Sequence, residues 1–401
     1  MLGGGLVCGR LMAQGVALPA WAAGVLEIHH IDTGRGNATL VIAPDGTTLL
    51  IDAGEAHSAP ETMPAPRPDG VRRAGEYVAR YVKRQLARVR GASGDSSLDY
   101  ALMTHLHGDH VGEVTGSSPE STRGRYRLTG AGDVAEGLQV ERWLDRGWPD
   151  YNYPLPPTDA SAQNYIAMVR ALAQRGTVVE QAKAGSVLGL RHDAGRYTGF
   201  STRIVSVNGR VWSGVGTGSK ALFPALEGVA KADYPDENMC CVSLVMEYGR
   251  FRYYAGGDLK SDTNYGRLPW HDIETPVAER VGAVTVASAN HHGYFDACGP
   301  AMVRALRPRV WVLPTWHVTH PALSVTANLA SRELYAGERS IYALEMAHAA
   351  ELVNERFSRS LRSTSGHVVV RVMPGGERYS VHVVDAKDEV GNVVLTDDLS
   401  V

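Results

Sequence analysis

The chain has 401 residues, 44% hydrophobic and 21% charged, enough to bury a large core. Its formal net charge of −3 gives no global pull toward nucleic acid or an anionic membrane. Four cysteines (Cys8, Cys240, Cys241 and Cys298) show no CxxC spacing, which argues against a disulfide framework and against a thiolate zinc site.

Residues 1–23 are apolar and rich in glycine and alanine, with Arg10 as the only charge, and end in Ala20-Trp21-Ala22-Ala23. Small residues in that arrangement resemble the region before a signal-peptidase cut, so the segment reads as a signal peptide or a disordered leader. A signal would place the protein in the periplasm or outside the cell; without one it is cytoplasmic. No later apolar run reaches the length of a membrane helix, so no membrane span is expected in the mature chain.

Three short runs rich in β-formers follow, at Leu26–Ile31, Ala38–Ile42 and Thr48–Ile51, separated by Gly- and Pro-bearing turns. After a proline-rich loop at 60–68, Tyr77, Val78, Tyr81, Val82, Leu86 and Val89 predict an amphipathic helix over Ala74–Val89. The run Leu98–Met103 predicts a buried strand. Helices are expected at Asp133–Leu138 and Ser161–Ala173, with an aromatic loop at Tyr151–Pro157. A second β-rich half begins near Thr202, with strands at Arg203–Val207, Val242–Tyr248, Arg252–Ala255, Ala283–Ala287 and Val310–Leu313. Helices at Pro300–Leu306 and Ser324–Tyr335 accompany them, and a hairpin, His367–Met373 with Tyr379–Val384, closes the chain. Two successive halves of sheet and helix suggest two packed sheets with helices outside.

Residues 104–112 read Thr-His-Leu-His-Gly-Asp-His-Val-Gly, directly after the predicted strand at Leu98–Met103. His105 and His107, two apart, leave the strand on one face, and Gly108 permits a turn that brings Asp109 and His110 back to the same point. Imidazoles and a carboxylate converging in this way suit zinc or a similar divalent ion. Other segments place acids and histidines just past strand ends: Asp52, Asp258, the pair His291 and His292, and the stretch Trp316-His317-Val318-Thr319-His320-Pro321. Loops beyond strand ends are where α/β folds assemble active sites.

These motifs resemble those of the metallo-β-lactamase superfamily. His105, His107, Asp109 and His110 match its HxHxDH motif, Asp52 the aspartate of its first motif, Asp258 its metal-bridging aspartate and His291–His292 its last histidine motif. A narrower resemblance is to the metallo-hydrolase domain of the ComEC-type DNA-uptake proteins. Asp32-Thr33-Gly34-Arg35-Gly36-Asn37-Ala38 corresponds to their DVGQGDA-type segment, and the run Asn238 to Val245, the HHG element, His320-Pro321 and the strand after Gly366 are similar as well. Secreted phosphorylcholine esterases of Gram-positive surfaces share this sort of core. The similarity spans roughly residues 26–385 and implies an α/β fold, an αββα four-layer sandwich forming one domain over 24–401, with an insertion near 113–200.

The resemblance also implies a metal-dependent hydrolase whose nucleophile is a metal-bound hydroxide. One ion would sit on His105 and His107 and the other on Asp109, His110 and His292, with Asp258 bridging. Two zinc ions are expected, with manganese or iron as alternatives. His292 is preferred to His291 because ligand histidines of this motif are followed at once by glycine. Asp109 and Asp258 are the catalytic carboxylates, and Asp52 orients a ligand imidazole or the HxHxDH turn. His317 and His320 are read either as substrate-facing groups, His320 being the catalytic candidate, or as structural histidines; Tyr294 would line the same mouth.

Three departures stand out. Only His192 lies where a histidine would complete the first metal site, and the strand end Val207-Asn208-Gly209 offers an amide instead. Arg35 and Asn37 replace Gln and Asp of the ComEC-type segment, and Tyr294 replaces its serine after HHG. The expected substrate is an ester, phosphodiester or lactone. The ComEC-like features favour a phosphodiesterase acting on nucleic acid or a phosphorylated surface polymer, and Arg72, Arg73, Lys83, Arg84, Arg88 and Arg90 supply a candidate basic track. A lactonase or β-lactamase-like hydrolase is the alternative, with an iron-dependent oxidoreductase behind it.

Overall fold

Along the strands, neighbouring side chains part into separate apolar layers, as a period of two requires. Leu40, Leu50 and Ala101 pack beneath helices with Val78, Val82, Val134 and Val169, whereas Val41, Leu49, Ile51 and Leu102 face a second sheet. On that second sheet Leu244, Met246, Tyr253, Val286 and Val312 point inward. Val245, Tyr254, Ala287, Trp311 and Leu313 point outward, against Val277, Val303, Leu306 and Leu329 of another helix layer. The order helix, sheet, sheet, helix is the expected αββα sandwich. This computed structural model describes residues 16–91 and 94–401.

The first sheet runs from the terminal strand Asn392–Ser400 through Arg378–Val384, His367–Val372, Leu26–His30, Thr39–Ile42, Thr48–Ile51, Leu98–Leu102 and Val140–Asp145 to Val178–Gln181. Its last four strands are mutually parallel. The second sheet contains Phe200–Val207, Ser243–Tyr248, Phe251–Ala255, Val286–Ser288, Val310–Leu313 and Ser340–Ala343, and the last four of these are again parallel. Parallel strands end on the same side, so the residues after Ile51, Leu102, Ala255, Ser288 and Leu313 gather along one edge of the sandwich.

Several expectations need correction. The chain does not close on the hairpin, because Asn392–Ser400 pairs along Arg378–Val384 as a further strand. The helix expected over Ser324–Tyr335 spans Leu323–Ala330, and the Arg339 guanidinium donates to the carbonyls of Ser331 and Tyr335 in the turn beyond it. The strand expected at Ala283–Ala287 is Val286–Ser288. Within 113–200, Val140–Asp145 and Val178–Gln181 join the first sheet, and the helices Ala131–Gly137 and Ala160–Gln174 join its cover.

Of the expected leader, residues 1–15, with Cys8 and Arg10, lie outside the described residues. Val16–Ala17 pairs with Val393 and Asn392. The carbonyl of Pro19 accepts from Arg88 and Arg371, and that of Ala20 from Arg371. Both guanidiniums also meet the fully buried carboxylate of Glu27, which His29 approaches through Nε2 at 3.0 Å. These arginines and the imidazole outweigh the penalty of burial and hold the Glu27 carboxyl down at about 2. Among the described residues no helix is long and apolar enough to cross a membrane.

Candidate metal centre

Asp52 follows the strand Thr48–Ile51 in a left-handed conformation, φ 60°. Its carboxylate accepts from the Thr104 amide (2.7 Å), the Thr104 hydroxyl (2.9 Å), the Asn37 amide (2.9 Å) and Nδ1 of His110 (2.8 Å). With Nδ1 committed to Asp52, His110 turns Nε2 toward the cleft. Gly54 makes this packing attainable: a Cβ there would lie only 1.7 Å from the carbonyl oxygen of Asp109. Asn37 holds the same oxygen through its backbone amide at 2.8 Å.

From the other sheet, His291 and His292 both adopt left-handed backbone conformations, φ 47° and 54°. The turn is braced from the outer helix layer, where the buried carboxylate of Glu274 accepts from Asn290 Nδ2 (3.0 Å), the Cys298 amide (2.7 Å) and the Gly299 amide (2.8 Å). His292 donates Nδ1 to the Pro314 carbonyl at 3.0 Å and so presents Nε2 to the centre. His291 is aimed differently. Its Nδ1 bonds Asp296 at 2.7 Å, and its Nε2 lies 3.3 Å from Asn238 and 3.7 Å from Asp258.

One ligand atom each from Asp109, His110, Asp258 and His292 falls within 4.8 Å of all the others. Nε2 of His292 is 3.0 Å from Asp109 Oδ2, 3.2 Å from His110 Nε2 and 3.4 Å from Asp258 Oδ2, and His110 Nε2 is 3.1 Å from Asp258 Oδ1. Two imidazole nitrogens and two carboxylates aimed at one another this closely, and largely buried, form a cage that suits a divalent cation. His105 and His107 stand beside it with Nε2 and Nδ1 3.1 Å apart, and His105 Nε2 is 3.8 Å from Asp258 Oδ2.

The local field points the same way. Burial would raise the carboxyls of Asp109 and Asp258, but the imidazoles of His110 and His292 outweigh it and hold both well below the usual range. Conversely, burial would lower His110 and His292, yet Asp258, Asp52 and Asp109 drive His110 well up, and Asp258 with Asp109 raises His292 to about 9. The carboxylates stabilise positive charge at the spot where a dication would sit.

His320 stacks on His292, with ring centroids 5.1 Å apart and planes at 20°, and Trp316 packs edge-on to both. Burial and the neighbouring His292 and His317 keep His320 well below the ordinary histidine range. Among the described residues, neither its Nδ1 nor the Trp316 Nε1, both buried, has a hydrogen-bond partner. Tyr294 sits edge-on to His291 and His320, and His317 is half-buried beside His320.

The structure does not bring His192 to this place. It bonds Asp99 at 3.2 Å, near the start of the strand Leu98–Leu102, at the end opposite the cluster. Asn208 is consumed by Arg146, whose carbonyl accepts from Asn208 Nδ2 at 2.8 Å and whose guanidinium lies 3.4 Å from Asn208 Oδ1. Four of the six residues of the basic track are spent: Arg73 pairs with Asp133, Arg84 with Glu389, Arg88 with Glu27 and Arg90 with Asp99. Sequence reasoning missed Arg146, Glu237 and Glu274. Arg146 follows the strand Val140–Asp145, so the rule that singled out the other strand ends reaches it; Glu237 and Glu274 carry no local signal.

Residues 31–118, which include Asp52 and all of 104–112, match the family model described as Metallo-beta-lactamase superfamily. No curated protein matches the chain. Among solved structures, the chain is similar to a protein of Parabacteroides distasonis ATCC 8503 provisionally named a metal-dependent hydrolase. Identity is 11%, the TM-score is 0.36, and the match covers 80% of this chain and 94% of that one.

Proposed function

We propose that this chain, through its metallo-β-lactamase superfamily domain, is a metal-dependent hydrolase and that its substrate is a phosphodiester. The observation that carries the reading is the convergence of Asp109, His110, Asp258 and His292 within 4.8 Å, at the ends of strands from both sheets. These four side chains hold the ion, with zinc favoured by the mixed imidazole and carboxylate set and manganese or iron as alternatives. Bound there, such an ion would supply Lewis acidity, the chemistry by which metallo-hydrolases make water nucleophilic near neutral pH.

The chain's own residues do the remaining work. Asp52 fixes the orientation of His110, and the Pro314 carbonyl fixes that of His292. His320, neutral because of its burial and its histidine neighbours, offers an N–H to a substrate oxygen without adding charge. His291, backed by Asp296, and the half-buried His317 offer further donors to non-bridging oxygens of a phosphodiester. Such a ring of imidazoles around a metal suits an anionic ester better than a neutral lactone. The ComEC-like segments around Gly34 and Ser243 favour the same class. Extended nucleic acid is the less supported form of it, because four of the six basic residues on or near the first helix are already paired within the protein.

The test is turnover of bis-p-nitrophenyl phosphate, a lactone and nitrocefin by the metal-loaded protein. Selective phosphodiester cleavage that Asp258→Ala and His292→Ala abolish is the expected result. Lactone or nitrocefin hydrolysis alone overturns the phosphodiesterase reading, and bound iron without hydrolysis overturns the hydrolase reading.

A further inference from the structure

We infer that this centre retains one tightly bound ion, on Asp109, His110, Asp258 and His292, because the position of a third protein ligand beside His105 and His107 is taken by a buried Arg146–Glu237 ion pair. The inference rests on the metal-site reading above and concerns how many ions the site keeps.

The backbone of the His105-Leu106-His107 segment is where the argument starts. The Leu106 amide donates to Glu237 Oε1 at 2.8 Å, and the same oxygen accepts from Arg146 Nε at 2.5 Å. Arg146 Nη2 donates to the other oxygen of Glu237, and Nη1 donates to the Tyr153 carbonyl at 2.9 Å. The guanidinium is buried, with its side chain 3% exposed, and three of the roughly four lone-pair sites of the Glu237 carboxylate are committed to Arg146 and Leu106.

Three further donors between residues 111 and 257 are spent or lie elsewhere. Asn208 is closed against Arg146 at both ends of its amide. The Cys241 sulfur accepts from the Asp258 backbone amide at 3.3 Å, behind the carboxylate it supports. His192 lies at the far end of its strand. Among the described residues, the cluster whose ligand atoms lie within 4.8 Å of one another leaves out His105 and His107, and Asp258, the carboxylate 3.8 Å from His105, already faces His110 and His292 at 3.1 and 3.4 Å. Two imidazoles and a shared carboxylate, next to a permanent guanidinium cation, form a much poorer site for a second dication than the four-ligand cage.

The experiment counts metal and does not depend on turnover. The full chain is stripped with chelator, reloaded with excess Zn2+, desalted and analysed by mass spectrometry for metal content, with circular dichroism to verify folding. The expected result is about one equivalent in the unmodified protein and in His107→Ala, and loss of that equivalent in His292→Ala. Loading with Mn2+ should give an uncoupled six-line electron paramagnetic resonance spectrum. Two retained equivalents, falling to one in His107→Ala, or a spin-coupled Mn2+ signal, overturn the inference. One equivalent with no hydrolysis of any ester leaves the inference standing and removes the hydrolase reading. No retained ion removes both.

Discussion

The carboxylate of Asp52 and Nδ1 of His110 meet at 2.8 Å, both fully buried, and this contact decides which imidazole nitrogen faces the cleft. It reaches across 58 residues of sequence and ties the first strand pair of the site to the HxHxDH turn.

Asp52→Asn keeps the shape and tolerates the left-handed backbone but removes the charge behind His110. Metal affinity should fall by about 10–100-fold, as for other partners of metal-bound histidines. Competition with a chromophoric chelator measures this directly. Unchanged affinity would show that Asp52 serves only to brace the Thr104 turn.

Metal loading should release protons. Asp258, Asp52 and Asp109 keep His110 well above the ordinary range, and Asp258 with Asp109 holds His292 at about 9, so at neutral pH the ion must displace protons from both. Affinity should therefore weaken as pH falls. Titration calorimetry in buffers of different ionisation enthalpy is the measurement, and a buffer-independent heat would contradict it.

Acid stability should depend on Glu27. Its carboxyl is held at about 2 against an ordinary 4.5, so the ionised form stabilises the fold at and above pH 4.5 and that contribution is lost as pH falls toward 2. The difference corresponds to roughly 3 kcal/mol at neutral pH. Glu27→Gln should lower stability at pH 7 and flatten the acid limb of the pH–stability curve. A variant that keeps the full acid limb would assign that limb to other carboxyls.

Two truncations test the docked N-terminal segment. A chain beginning at Val16 keeps the carbonyls of Pro19 and Ala20 that receive Arg88 and Arg371, and the Trp21 indole that donates to Val25. A chain beginning at Gly24 leaves those guanidinium donors short of acceptors. It should be less stable than the first by about 1–3 kcal/mol in urea unfolding. Equal stability would show that water replaces the carbonyls without cost.

Much of the sandwich was legible because its signals are local. Runs of β-formers at Thr39–Ile42, Thr48–Ile51 and Phe251–Ala255 and the turn residues between them predict strands within a residue or two. The strand Asn392–Ser400 escaped notice because one face of it is solvated, with Thr396, Asp397 and Asp398 interrupting the apolar pattern. The helix Glu274–Val281 is short and carries Pro276, so periodicity alone does not expose it. In the site, the HxHxDH turn and the strand-end acids were visible for the same local reasons. Glu237 was not, because what makes it matter is the Leu106 amide, which is 131 residues away in sequence.

The paired left-handed histidines at 291 and 292 have one more consequence. Each such backbone costs of order 1–3 kcal/mol unless its surroundings hold it, and here the hold is exerted by Glu274 through Asn290, Cys298 and Gly299. The aim of His292 is thus governed from the skin of the sandwich. A change on that outer helix can slacken the turn and swing the imidazole without touching a single residue that lines the cleft.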